Sequence, residues 1–293
     1  MSTLTADAKA SGTFTLGDDL TVNRLGFGAM RITGEGIWGE PKNPEESRAV
    51  LRRAVELGVN LIDTADSYGP EVSERLIAEA LHPYPKDLVI ATKGGLTRQG
   101  PNKWEPVGRP EYLRQQVEMS LRRLRLDRID LYQLHRIDPK VPAEESLGAL
   151  KDLQQQGKIR HIGLSEVSPS EIEQCSKIVR VVSVQNRYNM SDRAHEDALK
   201  YCEEHKLGFI PWFPVAAGKL AAAGGPLESA AKRHGVSVAQ LSIAWLLHRS
   251  PVMLPIPGTS SVKHLEENVA AASLRLNADE WRALEQTAKA ATA

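Results

Sequence analysis

Residues 88–92 are LVIAT, and two later stretches have the same character, IDLYQL at 129–134 and VVSVQ at 181–185. None of the three alternates polar and apolar side chains along its length. Short continuous apolar runs are typical of β-strands that are covered on both faces, as in a parallel sheet flanked by helices. The sequence therefore predicts an α/β protein.

Apolar runs of this kind alternate with amphipathic helical patterns along the whole chain. Eight strands separated by helices fit either a closed (β/α)8 barrel, the TIM barrel, or an open doubly wound sheet. The strand count, the length of 293 residues and the even spacing favour the barrel, with residues 1–293 as a single domain. The predicted strands begin near Arg24, Val59, Asp87, Ile129, Ile159, Val181, Leu207 and Val252.

Local signals mark several helix ends. Pro44 and Pro110 stand at first helical positions, and Gly157 is placed to end a helix that begins near Ala143. Ser168 is followed three residues later by Glu171, which is the spacing of a capping box. A related cap and acid, Asn277 and Glu280, precede the last helical pattern.

The N-terminal segment differs from the rest of the chain. Residues 1–12 are small and polar, and we expect them to be frayed or disordered. Two β-like runs, Phe14–Leu16 and Leu20–Val22, then flank Gly17-Asp18-Asp19, a pattern typical of a β-hairpin.

Composition excludes several classes of protein. Lysine plus arginine (37) equals aspartate plus glutamate (37), whereas nucleic-acid and anionic-membrane proteins carry a basic surplus. No stretch approaches the roughly 20 apolar residues of a membrane span, and residues 1–12 lack the apolar core of a secretory signal. Cys175 and Cys202 are too few for a disulfide scaffold and lack metal-ligand spacing. We expect a soluble, cytoplasmic protein without a metal.

Residues 34–39, GEGIWG, match the pattern GxGxxG. The dinucleotide fingerprint needs that pattern to lead directly from a strand into a helix, with an acidic residue about 20 positions later. Pro41 and Pro44 follow here, so no helix can begin at the third glycine. Asp63 lies near the expected spacing, but it has the different interpretation given next. The sequence favours a flexible loop over a Rossmann site.

Four chemically useful side chains follow predicted strands. Asp63 ends the second strand and precedes Tyr68, Lys93 ends the third, and His135 ends the fourth. In a (β/α)8 enzyme the carboxyl ends of the strands form the active site, so we expect all four on one rim. Taken singly, each has a structural explanation. Asp63 can be a helix N-cap, and Tyr68 can be packed half-buried with its hydroxyl in water. Lys93 can extend its ammonium to solvent, and His135 can be a hydrogen-bonded core residue. Together they fit one reaction.

That reaction is carbonyl reduction by hydride transfer. Negative charge builds on the carbonyl oxygen, and Tyr68 can donate a proton to it, although the ordinary pKa of tyrosine is about 10. Lys93 is expected to lower that pKa, and Asp63 to keep Lys93 charged and oriented. His135 can donate a hydrogen bond to the carbonyl oxygen. No side chain carries hydride, so a cofactor must.

The segments that carry these residues resemble three catalytic signatures of the aldo-keto reductases. They are NLIDTADSYG (60–69), VIATKGG (89–95) and LYQLHRID (131–138). The resemblance extends from LGFGAM (25–30) to HLEENV (264–269). It implies a (β/α)8 barrel closed at its base by an N-terminal hairpin, and NADPH bound without a Rossmann domain.

By position, the resemblance makes Tyr68 the general acid, Lys93 and Asp63 its supporting pair, and His135 the residue that orients substrate. It also implies contacts to the nicotinamide, its carboxamide, the pyrophosphate, the 2′-phosphate and the adenine. These contacts fall on Gly28, Ala29, Met30, Ser165, Gln185, Trp212, Phe213, Pro214, Val215, Gly258, Thr259, Ser260, Ser261, Lys263, His264, Glu267 and Asn268.

Two positions depart from the family pattern. Glu166 stands where asparagine is common after the serine, which puts one carboxamide contact in question. His264 stands where many members carry arginine, which leaves Lys263 as the cation for the 2′-phosphate. The resemblance still favours NADPH, with NADH as an alternative cofactor.

The expected substrate is a small carbonyl compound. Trp38, Trp104 and the 94–109 loop are expected to line its pocket, where the indole rings suit a planar or apolar aldehyde. The whole-chain pattern is most similar to bacterial family members associated with pyridoxal reduction (pyridoxine 4-dehydrogenase-like). Other aldehydes, including methylglyoxal, stay open, and the oligomeric state is not determined by the sequence.

Two other functions use the same residues. Lys93 can be the Schiff-base lysine of a barrel lyase or aldolase. Alternatively, the chain can be a non-catalytic regulatory subunit that senses NADPH, as relatives of potassium-channel β-subunits do. The intact set of four residues favours the reductase over both.

Overall fold

The computed structural model describes residues 4–215 and 226–292. Its main feature is a curled parallel sheet of seven strands, in the spatial order β11-β10-β9-β8-β5-β4-β3. Every neighbouring pair in that sheet is parallel, as the continuous apolar runs predict. The strands are β3 (Phe27–Gly28), β4 (Leu61–Asp63), β5 (Val89–Gly94), β8 (Ile129–Leu134), β9 (Ile159–Ser165), β10 (Val181–Gln185) and β11 (Gly208–Phe209).

Residues 252–256 occupy the eighth strand position and close the sheet into a barrel. The Phe209 amide donates to the Val252 carbonyl (2.9 Å), and the Leu254 amide donates back to Phe209 (2.8 Å). On the other side, the Gly26 amide donates to the Pro255 carbonyl at 3.0 Å. The (β/α)8 barrel is therefore confirmed, and the open doubly wound sheet is wrong. The prediction that all 293 residues form one domain stays a prediction.

A β-hairpin covers the amino-terminal end of the barrel. Its strands β1 (Thr13–Leu16) and β2 (Leu20–Asn23) pair antiparallel, as predicted. Asp19 in the turn accepts from the His161 ring (2.6 Å) near the start of β9. Apolar side chains of the hairpin then fill the barrel from below together with those of the strands. This core comprises Leu16, Leu20, Val22, Leu61, Val89, Ala91, Leu131, Val182, Ile210, Leu254 and Ile256.

Ten helices surround the strands in the described parts of the chain. The predicted caps form: Ser168 accepts from the Glu171 amide while Glu171 accepts from the Ser168 amide, and Asn277 caps the last helix. The helices are α1 (Pro44–Glu56), α2 (Val72–Leu81), α3 (Pro110–Leu124), α4 (Ala143–Gln155), α5 (Pro169–Ser176), α6 (Glu196–His205), α7 (Pro226–His234), α8 (Val238–Arg249), α9 (Val262–Ala270) and α10 (Ala278–Thr292). Across the described ranges, no helix is both long and apolar enough to cross a membrane.

The N-terminal segment is more ordered than its composition predicts. Ala8–Ser11 forms a 3-10 helix, and its Ala8 amide donates to the Leu57 carbonyl at 2.8 Å. The Ser11 hydroxyl accepts from the Leu25 amide at 3.0 Å. The expectation of a frayed segment is therefore wrong for these residues, because small side chains allow this short helix to pack closely on the barrel.

A second hairpin, which the sequence did not predict, lies within the 94–109 loop. Strands β6 (Leu96–Gly100) and β7 (Lys103–Pro106) pair antiparallel above the end of β5. Its sequence is largely polar and lacks the alternation of a half-buried strand, so local pattern gave no signal. Residues 34–39 contain a 3-10 turn, Glu35–Ile37, and the next α-helix begins only at Pro44, so the GxGxxG run does not lead directly from a strand into an α-helix.

Candidate active site

A cavity of about 710 Å3 opens at the carboxyl ends of the barrel strands. Asp63 and Gln185 end their strands at its floor, while Tyr68 and His135 stand in the loops that follow two others. The sequence-predicted residues that line the cavity are Gly28, Met30, Asp63, Tyr68, Trp104, His135, Ser165, Gln185, Trp212, Phe213, Pro214, Val215, Gly258 and Asn268. The expected rim of strand ends is therefore one continuous surface.

Lys93 lies directly below this surface and is completely buried. Its ammonium donates to Asp63 Oδ2 (2.6 Å) and to the Thr64 carbonyl (2.8 Å). The third contact is to Tyr68 Oη at 3.4 Å. A buried ammonium needs such partners, because transfer of an unpaired charge out of water is costly. The structure thus brings Asp63, Lys93 and Tyr68 into one chain of contacts.

The electrostatics of this group differ in part from the expectation. Burial lowers the pKa of Lys93, but the charge of Asp63 and the contact with Tyr68 outweigh burial, so the pKa is raised and Lys93 stays protonated. For Tyr68, burial raises the pKa, and Lys93 only partly opposes that rise. The expectation that Lys93 brings the phenol pKa below its ordinary value is therefore wrong for this structure, because desolvation of the phenolate is the larger effect.

Asp63 is fixed from two sides. While Oδ2 accepts from Lys93, Oδ1 accepts from Gln185 Nε2 (2.8 Å) and Gln133 Nε2 (3.1 Å). Gln185 therefore lines the cavity with its amide nitrogen already engaged. Gln133 was not identified from the sequence, although it stands two residues before His135 on a strand, a spacing that places side chains on the same face.

His135 stands beside the phenol of Tyr68. Its ring centroid lies 5.9 Å from that of Tyr68 in an edge-on arrangement, and Nδ1 is 3.4 Å from the Ser67 hydroxyl. Burial, followed by the charges of Lys93 and two arginines, holds the pKa of His135 well below 6.5. The imidazole is thus neutral at pH 7 and has one N–H donor.

The two predicted substrate tryptophans occupy different positions. Trp104 on β7 lines the cavity, and its ring lies 6.3 Å from Tyr68 and 6.4 Å from His135. Trp38 is 38% exposed and does not line the cavity. The structure therefore brings Trp104, but not Trp38, to the predicted substrate pocket.

Arg98 on β6 holds the wall that carries Trp104, and sequence reasoning missed it. Its guanidinium carbon lies 3.6 Å from the centroid of the Trp104 ring and 5.6 Å from that of Trp38. All three of its nitrogens donate to backbone carbonyls, which lie in the 34–39 loop, in the loop that carries Tyr68 and in its own hairpin. The acceptors are the carbonyls of Gly36, Ile37, Ser67, Gly100 and Lys103. The 34–39 loop, predicted to be flexible, is thus tied to the Tyr68 loop.

Trp212 is anchored by the residue that departs from the family pattern. Glu166 Oε1 accepts from the Trp212 indole (2.6 Å) and from the Arg187 amide (2.7 Å). The backbone of Glu166 is left-handed, with φ of 55°, a conformation that asparagine adopts more readily than glutamate. Glu166 therefore positions the aromatic side chain predicted to stack on nicotinamide.

The phosphate end of the predicted cofactor site lies beside β3. An added Cβ at Gly28 would lie 2.6 Å from the Ile256 carbonyl oxygen, and one at Gly258 would lie 2.5 Å from that of Gly28. Only glycine fits at these two positions. Helix α9 begins one residue after Ser261, whose side chain makes no capping bond. Other predicted contacts do not line the cavity: Ala29, Thr259, Ser260, Ser261, Lys263, His264 and Glu267.

The residues present fit a dinucleotide phosphate. The first turn of α9 has backbone N–H groups that attract anions together with the helix dipole, and the Val262 amide there already donates to the carboxylate of Glu46 at 3.5 Å. Lys263, within that turn, has no ion pair among the described residues, so its charge is available. Asn268 lines the cavity from the same helix.

Comparison with known proteins agrees with this geometry. Residues 24–289 match the model of the Aldo/keto reductase family, and the chain belongs to that family. An uncharacterized oxidoreductase of Schizosaccharomyces pombe is 53% identical over 283 residues, which cover 97% of this chain and 92% of that protein. Pyridoxine 4-dehydrogenase of Escherichia coli is 43% identical over 274 residues, with 92% and 95% covered.

A solved structure extends the likeness to the fold. An aldo-keto reductase from Klebsiella pneumoniae in complex with NADPH has a TM-score of 0.81 and 25% identity to this chain, with 94% of each chain covered. The protein is thus an oxidoreductase of the aldo-keto reductase family on a (β/α)8 barrel.

Proposed function

We propose that this protein reduces an aldehyde to an alcohol with NADPH, and that Tyr68 donates the proton. The observation that carries the proposal is the position of Tyr68 Oη, which lines the cavity 3.4 Å from the buried ammonium of Lys93. A phenol is a proton donor, and the cation behind it stabilises the phenolate that remains after transfer. NADPH, when bound, supplies the hydride that no side chain can carry.

Each neighbouring residue has a definite part in this proposal. The neutral imidazole of His135 donates a hydrogen bond to the carbonyl oxygen and orients it toward Tyr68. Asp63 keeps Lys93 charged, and Gln133 and Gln185 hold Asp63 in place. Trp104 closes one wall against water and presents an aromatic face to a planar substrate.

For the cofactor, the proposed contacts follow the cavity outward from the barrel. Ser165 and Trp212 flank the nicotinamide, and Gly28 and Gly258 allow close backbone approach. The first turn of α9 and Lys263 would hold the 2′-phosphate, which NADH lacks, and this favours NADPH over NADH. The family match and the NADPH complex of the Klebsiella pneumoniae relative support this choice.

Pyridoxal is the substrate we propose for the first test. The 43% identity to pyridoxine 4-dehydrogenase of Escherichia coli supports it, and so does the aromatic wall formed by Trp104. We also propose that the protein acts in the cytoplasm, which the two unpaired, buried cysteines Cys175 and Cys202 support.

A Schiff-base lyase is disfavoured by the state of Lys93. A nucleophilic lysine needs a lowered pKa and access to substrate. The pKa of Lys93 is raised instead, and its ammonium is completely buried against Asp63.

The test measures NADPH oxidation with a panel of aldehydes that includes pyridoxal, for the wild type and Tyr68→Phe. We expect the variant to bind NADPH normally and to lose at least about 100-fold in kcat, because a positioned acid contributes that much. A rate within about threefold of wild type would refute the role of Tyr68. No oxidation by the wild type with any aldehyde, together with tight NADPH binding, would favour the regulatory subunit.

A further inference from the structure

A cationic side chain that the proposed reaction does not use lines the same cavity. Arg136 directly follows His135, and its half-buried side chain forms part of the wall. Its Nη1 donates to the His135 carbonyl (2.5 Å) and to the Ser165 hydroxyl (3.1 Å). These bonds fix the guanidinium between the predicted substrate-orienting residue and the predicted carboxamide contact.

The guanidinium has donors to spare. Among the described residues, nothing accepts a hydrogen bond from its Nε or Nη2, and no carboxylate forms an ion pair with it. Glu166 acts on Arg136 only at longer range, because its Oε1 is engaged by Trp212 and the Arg187 amide. Arginine stays protonated in proteins, so the cavity wall carries a positive charge that has no ion-pair partner among the described residues.

The other ionisable groups at the proposed site of proton transfer form no ion pair with that cation. Lys93 and Asp63 neutralise each other at 2.6 Å, and the His135 imidazole is held neutral. Arg136 lines the same cavity as Tyr68 and donates to the His135 carbonyl, so it is close to the proposed site of proton transfer. Charge-assisted hydrogen bonds from arginine to an anionic oxygen are roughly twice as strong as neutral ones.

We propose that Arg136 binds an anionic oxygen of a substituent on the ring carbon next to the one that bears the formyl group of the substrate. The preferred substrates are then aromatic aldehydes with an ionised hydroxyl or carboxylate ortho to the formyl group. This inference rests on the proposed function, since it needs the carbonyl at Tyr68 and His135. Pyridoxal has this chemistry, because its ring hydroxyl is adjacent to the formyl group.

The test compares kcat/KM for four aldehydes at a pH above the pKa of the hydroxyl groups. 2-Hydroxybenzaldehyde carries the ortho anion as a phenolate, and 2-carboxybenzaldehyde carries it as a carboxylate. 2-Methoxybenzaldehyde removes the charge, and 4-hydroxybenzaldehyde moves it away from Arg136. We expect the wild type to prefer at least one ortho anion over both controls by at least about tenfold, the worth of a charged hydrogen bond.

Arg136→Met is expected to abolish that preference, so that the ratio of kcat/KM for the ortho anions to kcat/KM for 2-methoxybenzaldehyde falls to about one. Arg136→Lys keeps the charge and should retain a measurable part of the preference. The dissociation constant for NADPH, from fluorescence titration, should stay within about twofold in both variants. Equal thermal midpoints for the three proteins would show that the variants are folded.

Three results would overturn the inference. If the wild type reduces all four aldehydes equally, the protein is a reductase but Arg136 does not form an anion site. If Arg136→Met weakens NADPH binding and keeps the ortho preference, the guanidinium serves the cofactor. A wild type that reduces none of the four aldehydes overturns the inference, and the proposed function falls with it only if pyridoxal is not reduced either.

Discussion

Asp63→Asn is expected to destabilise the protein far more than its small change in shape suggests. The replacement removes the charge that faces the Lys93 ammonium at 2.6 Å, with both side chains at most 3% exposed. By Coulomb's law with an effective dielectric constant of about 20, that attraction is worth about 6 kcal/mol. The Thr64 carbonyl and Tyr68 Oη still accept from Lys93 and offset part of the loss.

We therefore expect a loss of about 3–5 kcal/mol in the free energy of unfolding, the usual cost of breaking a buried ion pair. Urea unfolding followed by circular dichroism, with an unchanged m-value, measures it. The matched control is Asp152→Asn, because Arg114 and Asp152 form a pair at 2.7 Å with 42% and 52% exposure. That exposed pair should contribute less than about 1 kcal/mol.

A double variant separates the charge from the packing. Asp63→Asn with Lys93→Met leaves no unpaired buried charge, and we expect it to regain at least about 2 kcal/mol over Asp63→Asn alone. If Asp63→Asn costs no more than Asp152→Asn, or if Lys93→Met gives no recovery, burial does not control the energetics of this pair.

Two further predictions concern His135 and Gly94. The folded pKa of His135 lies below its unfolded value of about 6.5, so the unfolded state alone takes up that proton as the pH falls below 6.5. The stability advantage of the wild type over His135→Asn should therefore shrink by about 1 kcal/mol between pH 7.5 and 5.5, and an unchanged difference would contradict the lowered pKa. At Gly94 an added Cβ would lie 2.0 Å from Tyr132 Oη, a buried atom to which none of the described residues hydrogen-bonds. Gly94→Ala should cost about 1–3 kcal/mol in urea unfolding, and Tyr132→Phe should relieve most of that cost unless the clash is with other atoms.

Local sequence determined the elements and much of the candidate site. The apolar runs at 88–92 and 129–134 predicted buried parallel strands because both faces of such strands are covered. Capping at Ser168 formed as predicted, since a cap depends on neighbours within four residues. Asp63 and His135 could be placed on one rim because all parallel strands of a barrel end at the same edge.

The tertiary structure decided what depends on neighbours distant in sequence. Arg98 joins carbonyls of the 34–39 loop and of the Tyr68 loop to its own hairpin, and its role in fixing Trp104 has no local pattern. Gln133 reaches Asp63 only once β8 and β4 lie in one closed barrel. The 96–106 hairpin is likewise polar and irregular in sequence, and it forms where its arginine meets those loops.

The direction of the Tyr68 pKa shift shows most clearly which properties are local to the sequence and which depend on the whole fold. The sequence places a lysine where it can lower that pKa, because charge type and strand end are local properties. How far the phenol is desolvated depends on every residue that folds around the cavity, and burial exceeds the effect of Lys93. The sequence by itself thus determined that Tyr68 and Lys93 meet, and only the closed barrel decided how far the phenol is removed from water.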